Sequence, residues 1–171
     1  MPPPIKVDFA DNLPANIPRS SGLRLSVELI PQTTWGDNLR SLLTHEQWNV
    51  LRRAVYARAG YRCEACDASD MEVHCHEVWD YDDKKHVQKL IGLRCLCWEC
   101  HWVTHLTDSG IRGDLERLKH FASVNGITLF KANRIVQKAY EQVMERSKHE
   151  WKIDTSWLNE YLQKEKDNAH R

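Results

Sequence analysis

The chain has 171 residues, and its 24 basic and 24 acidic side chains give a formal net charge of zero. This balance excludes a uniformly basic nucleic-acid-coating protein, so any basic surface must come from segregation of charge along the chain. The sequence contains neither an apolar run of membrane-helix length nor a signal-peptide core, and we therefore expect a cytoplasmic protein without membrane contact.

Composition and periodicity divide the chain into four segments. Residues 1–22 are rich in Pro, Asn and Ser and are predicted to form an extended, flexible arm. Residues 23–60 are expected to supply a strand and a helix that pack on the core, residues 61–110 the core itself, and residues 111–171 a helical extension. The predicted fold class is α+β, with a small core flanked by α-helices.

The segment 23–60 carries two clear local patterns. Alternating apolar residues predict a strand over residues 23–30, which Pro31 ends. Thr44 and Gln47 have the spacing of a capping box, so a helix is expected to begin there. The apolar face of that helix comprises Trp48, Leu51, Val55 and Ala59.

Basic side chains are concentrated on this helix and just after it. Between residues 39 and 62 the single acidic residue is Glu46. The candidate nucleic-acid contacts of this region are Arg52, Arg53, Arg58 and Arg62. Phosphate contact is expected if a nucleic-acid site lies beside the helix, and a solvated helix face is the alternative.

The remaining elements follow from periodicity. Strands are predicted over residues 71–79 and 87–96, joined by a polar turn, with Cys95 in the core. Trp79 is expected to pack the hairpin on the core, and stacking on a nucleobase is the alternative. Helices are predicted through residues 101–106, 115–124 and 129–146. Apolar residues beyond the last helix are expected to pack back onto the body: Trp151, Ile153, Trp157, Leu158 and Tyr161.

Two Cys-x-x-Cys turns, separated by enough chain for a β-hairpin, predict a zinc site. The four ligands are Cys63, Cys66, Cys97 and Cys100. Thiolates suit zinc, and a site closed by four of them is structural and not catalytic. Redox chemistry is a weaker interpretation, because both pairs fit one metal site and the expected compartment is reducing.

Four histidines lie between and beside these turns. His74 and His76 share one face of a strand, and His101 and His105 share one face of a helix. Because His101 directly follows the ligand Cys100, the zinc site is expected to bring that helix against the hairpin. The sequence therefore predicts a pocket in which imidazoles converge.

The run CEAC…EVHCHEVWDYDD…LIGLRCLCWECHWVTH resembles the HNH endonucleases, over about residues 61–106. The resemblance implies a ββα-metal core, similar to a treble clef and stapled by the four-cysteine site. It also implies hydrolysis of phosphodiester bonds, most often in DNA, with His76 as general base. His101 matches the helix histidine that ligates a catalytic divalent cation, and His105 and His74 are further candidate ligands or phosphate contacts. The implied cation is Mg²⁺, Mn²⁺, Ni²⁺ or Zn²⁺.

The chain departs from the family pattern at four positions. Cys75 precedes the hairpin histidine, where relatives often carry a hard metal ligand, and Mg²⁺ binds thiolate poorly. Gly92 replaces the asparagine that orients the base, so another group must orient His76. Trp102 and Thr104 occupy helix positions that are often polar or basic.

These departures leave a second interpretation open. A zinc-stabilised module could bind nucleic acid or protein at the same pocket without cutting it. The near-zero net charge also makes a partner protein that supplies recognition a reasonable expectation.

Overall fold

The computed structural model describes residues 22–107 and 114–159. The predictions made for the N-terminal arm up to residue 21, and for Tyr161, lie outside this range. Within it, the chain forms helices and a three-stranded sheet, which confirms the α+β class.

The elements follow one another in a simple order. A short 3-10 helix over Gln32–Thr34 precedes the first α-helix. The α-helices are α1 (Leu39–Leu42), α2 (His45–Arg58), α3 (Trp98–Thr104), α4 (Leu115–Asn125) and α5 (Leu129–Arg146), and the strands are β1 (Val73–Asp82), β2 (Val87–Cys97) and β3 (Lys152–Asp154). None of the helices in the described ranges is both long and apolar enough to cross a membrane.

Strands β1 and β2 form an antiparallel hairpin that separates two apolar cores. Cys75 pairs with Cys95, and His76 pairs with Arg94. Side chains alternate between the two faces of a strand, so Cys75 and Cys95 pack with Leu51 of α2 in one core. The second core lies around α3, α4 and α5 and includes Leu96, Val103, Phe121, Ala132 and Val136.

The strand predicted over residues 23–30 does not form, but the predicted alternation of buried residues in this segment is confirmed. Leu25 and Val27 are buried in the second core, yet the segment joins no sheet among the described residues. Asn125 bonds both the N–H and the carbonyl of Leu25, at 3.1 and 2.9 Å, and the N–H of Glu28 donates to the carbonyl of Thr104 at 2.8 Å. Helix side chains and a helix-end carbonyl thus take the place of a partner strand.

The helix predictions are largely confirmed. The Thr44–Gln47 capping box is present at the start of α2, and α5 spans the predicted residues. Helix α3 begins three residues earlier than predicted, at Trp98, because the zinc-turn residue Cys97 is its N-cap: its sulfur accepts the N–H of Cys100 at 3.5 Å. The second Cys-x-x-Cys turn therefore also forms the start of α3.

The C-terminal residues return to the hairpin as expected. Trp151 and Leu158 are buried. Strand β3, which was not predicted, pairs in parallel with the start of β2. Its three residues are too few to show periodicity in the sequence.

Candidate metal centres and the histidine site

The four predicted zinc ligands come together. The sulfur atoms of Cys63, Cys66, Cys97 and Cys100 all lie within 4.8 Å of one another. Those of Cys66 and Cys97 are 3.7 Å apart, close to the roughly 3.8 Å that separates two thiolates bound about 2.3 Å from a tetrahedral zinc. The cluster therefore fits a structural metal ion such as zinc.

The protonation of the cysteine cluster supports this fit. A hydrogen bond from the thiol of Cys100 lowers the pKa of Cys63 to about 4, whereas the same contact raises the pKa of Cys100. Two sulfurs that share a proton in this way are placed to share a cation. Nε2 of His120, on α4, lies 3.2 Å from the sulfur of Cys100. His120 was not identified from the sequence; it ties α4 to the cluster as an outer-shell partner.

Three of the four predicted histidines form a second cluster. His76 from β1, with His101 and His105 at α3, has ligand nitrogens that lie within 4.8 Å of one another. Nε2 of His101 is 3.3 Å from Nε2 of His105. Ligands about 2.0–2.1 Å from a tetrahedral metal are roughly 3.3–3.4 Å apart, so these two nitrogens are spaced to hold one cation.

A carboxylate that the sequence analysis missed joins two of these histidines. Glu28 has its Oε1 at 3.1 Å from Nε2 of His76 and its Oε2 at 3.1 Å from Nδ1 of His105. Its side chain is nearly buried. The available signal was an acidic residue inside the apolar run of residues 23–30, because a buried carboxylate needs partners of its own.

Glu28 stays ionised in this position. Burial alone would raise its pKa, but the nearby charge of His76 and hydrogen bonds from both histidines lower the pKa to about 2. Because Nδ1 of His105 lies 3.1 Å from Oε2 of Glu28, Nε2 is the ring nitrogen of His105 that faces His101. Carboxylate–histidine pairs of this kind orient metal ligands.

His101 is the histidine held neutral. Burial, followed by the charges of His76, His105 and His74, lowers the pKa of His101 to about 3. A metal ligand must be deprotonated, and this environment keeps the imidazole in that form at neutral pH.

The structure also shows where two other hairpin residues, His74 and Cys75, lie relative to the histidine cluster. His74 stacks on His101, with ring centroids 5.0 Å apart, but it is not part of the three-histidine group. Cys75 points to the opposite face and packs in the core under α2. Burial raises the pKa of the Cys75 thiol well above its usual range. Cys75 therefore contributes no ligand to the histidine cluster, whereas Glu28 contacts Nε2 of His76 at 3.1 Å.

The predicted arginines lie away from the histidines. Helix α2, which carries three of them, packs on the hairpin face opposite to His76. Arg58 is nearly buried and donates to Glu64 at 2.7 Å and to the carbonyl of Leu93 at 2.9 Å. Arg52 donates to Asn49, whereas Arg53 and Arg62 are exposed.

A cleft of about 300 Å³ lies next to the histidine cluster. Its walls include Glu28 and His105 from the site, Glu77 from the hairpin, and Trp35 and Asn38 from the segment before α1. The cleft therefore meets the histidine cluster at His105 and Glu28.

The site so described combines a closed four-sulfur cluster with an open group of imidazoles. Comparison of the chain with protein-family models, with curated proteins and with solved structures finds no significant match. The resemblance to HNH endonucleases therefore rests on the motif residues of the sequence.

Proposed function

We propose that this protein is a metal-dependent phosphodiesterase of the HNH type and that its substrate is DNA. The observation that carries the proposal is the 3.3 Å spacing of the two Nε2 atoms of His101 and His105, with His76 beside them and Glu28 behind. That spacing fits a cation with open positions for water and substrate.

The order of elements around the site supports the family assignment. A hairpin is followed at once by a short helix, and a four-cysteine cluster joins the end of β2 to the loop before β1. We assign zinc to that cluster, because four thiolates form a closed site that holds no substrate. Its role is to fix α3, and with it His101, against the hairpin.

The proposal gives each residue of the site one task. His101 and His105 would hold a divalent cation, which would neutralise charge on the phosphate and on the leaving 3′-oxygen. His76 takes a proton from the attacking water while the water oxygen bonds to phosphorus and the bond to the 3′-oxygen breaks. Glu28 accepts a hydrogen bond from the N–H at Nε2 of His76, which leaves Nδ1 as the basic nitrogen.

Nitrogen donors also bear on the choice of metal. Imidazole suits Ni²⁺ and Zn²⁺, whereas Mg²⁺ prefers oxygen ligands and keeps its waters. We therefore expect cleavage to be faster with Ni²⁺ or Zn²⁺ than with Mg²⁺ or Mn²⁺.

The test is cleavage of supercoiled plasmid by the purified protein with each of these cations in turn. We expect nicking, and we expect His76→Ala to reduce the rate by about 10²–10⁴-fold, the usual contribution of a general base. His86→Ala is the matched control, because His86 stacks on His149 outside the cluster. Absence of cleavage with every cation would contradict the enzyme proposal.

The same variant separates two roles for His76, which also belongs to the group that fits a metal ion. If His76→Ala binds Ni²⁺ at the histidine site as the wild type does, His76 acts as the base. If it loses that ion, His76 is a third ligand and the base must be sought elsewhere.

A second candidate function is binding without cleavage. It is favoured by the burial of His76, which is only 5% exposed, since a general base must reach water. Under this alternative, the protein would bind the plasmid in the same assay and leave it intact with all four cations.

A further inference from the structure

An exposed aromatic surface lies on helix α3 beside the histidine cluster. Trp98 and Trp102, four residues apart on the helix, are 53% and 38% exposed. Their rings stack with centroids 6.2 Å apart and planes inclined by 16°. Neither ring belongs to the two apolar cores. Two adjacent tryptophans left at the surface mark an interaction site more often than scattered apolar residues do.

This surface is continuous with the histidine site. The ring of His74 lies 5.6 Å from that of Trp98 and stacks on His101 at 5.0 Å. At the far end, the guanidinium of Arg117 lies 4.0 Å from the centre of the Trp102 ring. We call this series the aromatic strip: Arg117, Trp102, Trp98, His74 and His101.

The far end of the strip is held in place by α4. Asp114, the N-cap of that helix, pairs with Nε of Arg117 at 2.9 Å. The planar guanidinium is thereby fixed over the indole, where the two attract each other. The acidic residue of α3, Glu99, directly follows Trp98 and so projects from a different face of the helix.

From this geometry we infer that the aromatic strip binds unpaired nucleobases by stacking. The inference rests on the proposed function, since the bases would be those next to the phosphodiester held at the histidine site. Exposed aromatic rings on which bases stack are a common means by which proteins hold single-stranded nucleic acid. Arg117, whose side chain is only 10% exposed, covers one face of Trp102 and holds that ring in place. A chain with zero net charge obtains little affinity from phosphate contacts alone, so base stacking would supply what charge does not.

The test measures binding without added divalent cation, so that no strand is cut. Fluorescein-labelled single-stranded DNA is compared with a strand of the same length and charge whose central nucleotides are abasic. We expect the wild type to bind the abasic strand more weakly, on the order of tenfold, the effect of losing one or two stacked bases. Trp98→Ala and Trp102→Ala should weaken binding of the base-bearing strand to a similar extent, with little effect on the abasic strand.

Two further variants serve as controls in this binding test. Trp98→Phe keeps an aromatic face and should retain most of the affinity, even if an alanine variant fails to fold. Phe130→Ala is the matched control: Phe130 is 73% exposed on α5, and the guanidinium of Arg134 lies 5.9 Å from its ring centre. This control should leave binding unchanged.

Several outcomes would overturn the inference. Equal affinity of the wild type for base-bearing and abasic strands is one, and unchanged binding by both alanine variants is another. Sedimentation that shows a dimer in the wild type and a monomer in Trp98→Ala would assign the strip to contact between two copies of the chain.

The inference and the proposed function can fail separately. If binding depends on the bases but no cation supports cleavage, base stacking on the aromatic strip is supported and the nuclease proposal is rejected. If base-bearing and abasic strands are bound with equal affinity and cleaved equally, the nuclease proposal is supported and base stacking on the strip is rejected.

Discussion

Glu28 and His105 are joined by a contact of 3.1 Å between Oε2 and Nδ1, although they lie on opposite sides of the four-cysteine cluster in the sequence. This contact determines which nitrogen of His105 faces His101. It also makes the extended segment before α1 part of the candidate active site. The site is therefore not confined to the hairpin and α3.

Replacement of Glu28 by glutamine should weaken metal binding at the histidines. The amide preserves the size of the side chain, but it removes the negative charge that faces Nε2 of His76 and Nδ1 of His105. Loss of an outer-shell partner typically reduces metal affinity by about 10–100-fold. Calorimetric titration of the zinc-loaded protein with Ni²⁺ measures the change.

A matched control is Glu72→Gln. The side chain of Glu72 is 84% exposed and lies 3.9 Å from His74, outside the three-histidine group. Its replacement should leave Ni²⁺ affinity unchanged. An equal loss in both variants would show that general charge, and not the contact with His105, controls the site.

Removal of the metal from the cysteine cluster should unfold the core around α3. Structural zinc in small domains contributes about 10–16 kcal/mol of apparent binding free energy, and an ion in this cluster would hold the start of α3 against the loop before β1. Cys97→Ser should therefore lower both the zinc content per chain and the thermal midpoint.

Cys75→Ala tests the specificity of that effect. Cys75 is buried but packs under α2, so the variant should keep its zinc and lose only about 1–2 kcal/mol through the small cavity. Elemental analysis with thermal unfolding distinguishes the two variants. Equal zinc content in both would contradict the proposed ligand set.

Acid should destabilise the protein through His101. Its pKa is lowered from 6.5 to about 3 in the folded protein, so the unfolded chain binds more protons between these values. Stability must then fall as the pH falls from about 6.5 toward 3, by at most about 1.4 kcal/mol per pH unit for one proton. His101→Gln should show a shallower dependence in urea unfolding at about pH 7 and about pH 5. Parallel slopes for wild type and variant would contradict the assignment.

Arg146 should contribute strongly to stability. It is 6% exposed, forms two bonds to Asp83 at 2.7 and 3.1 Å, and stacks on Tyr81 at 3.9 Å. Arg146→Ala should cost about 1–3 kcal/mol, because it removes the packing of a nearly buried side chain and its bonds to Asp83, whose side chain is 56% exposed. Arg134→Ala, on the same helix, should cost less than about 0.5 kcal/mol. Similar urea midpoints for the two variants would contradict this account.

The sequence determined those features that depend on local spacing. The Thr44–Gln47 box starts α2, the period of α5 gives its full length, and two Cys-x-x-Cys turns give four ligands. Alternation along β1 correctly separated His76 from Cys75. Each of these features follows from the fixed geometry of a helix, a strand or a tight turn.

Only the tertiary structure decided which distant groups complete the site. Residues 23–30 have the alternation of a strand, but Asn125 and Thr104 satisfy their backbone, and this places Glu28 against His76 and His105. No local pattern encodes such a contact, because hydrogen-bond partners far apart in the chain are set by packing. The same packing directs α2 and its arginines to the far face of the hairpin and leaves Trp98 and Trp102 exposed beside the histidines.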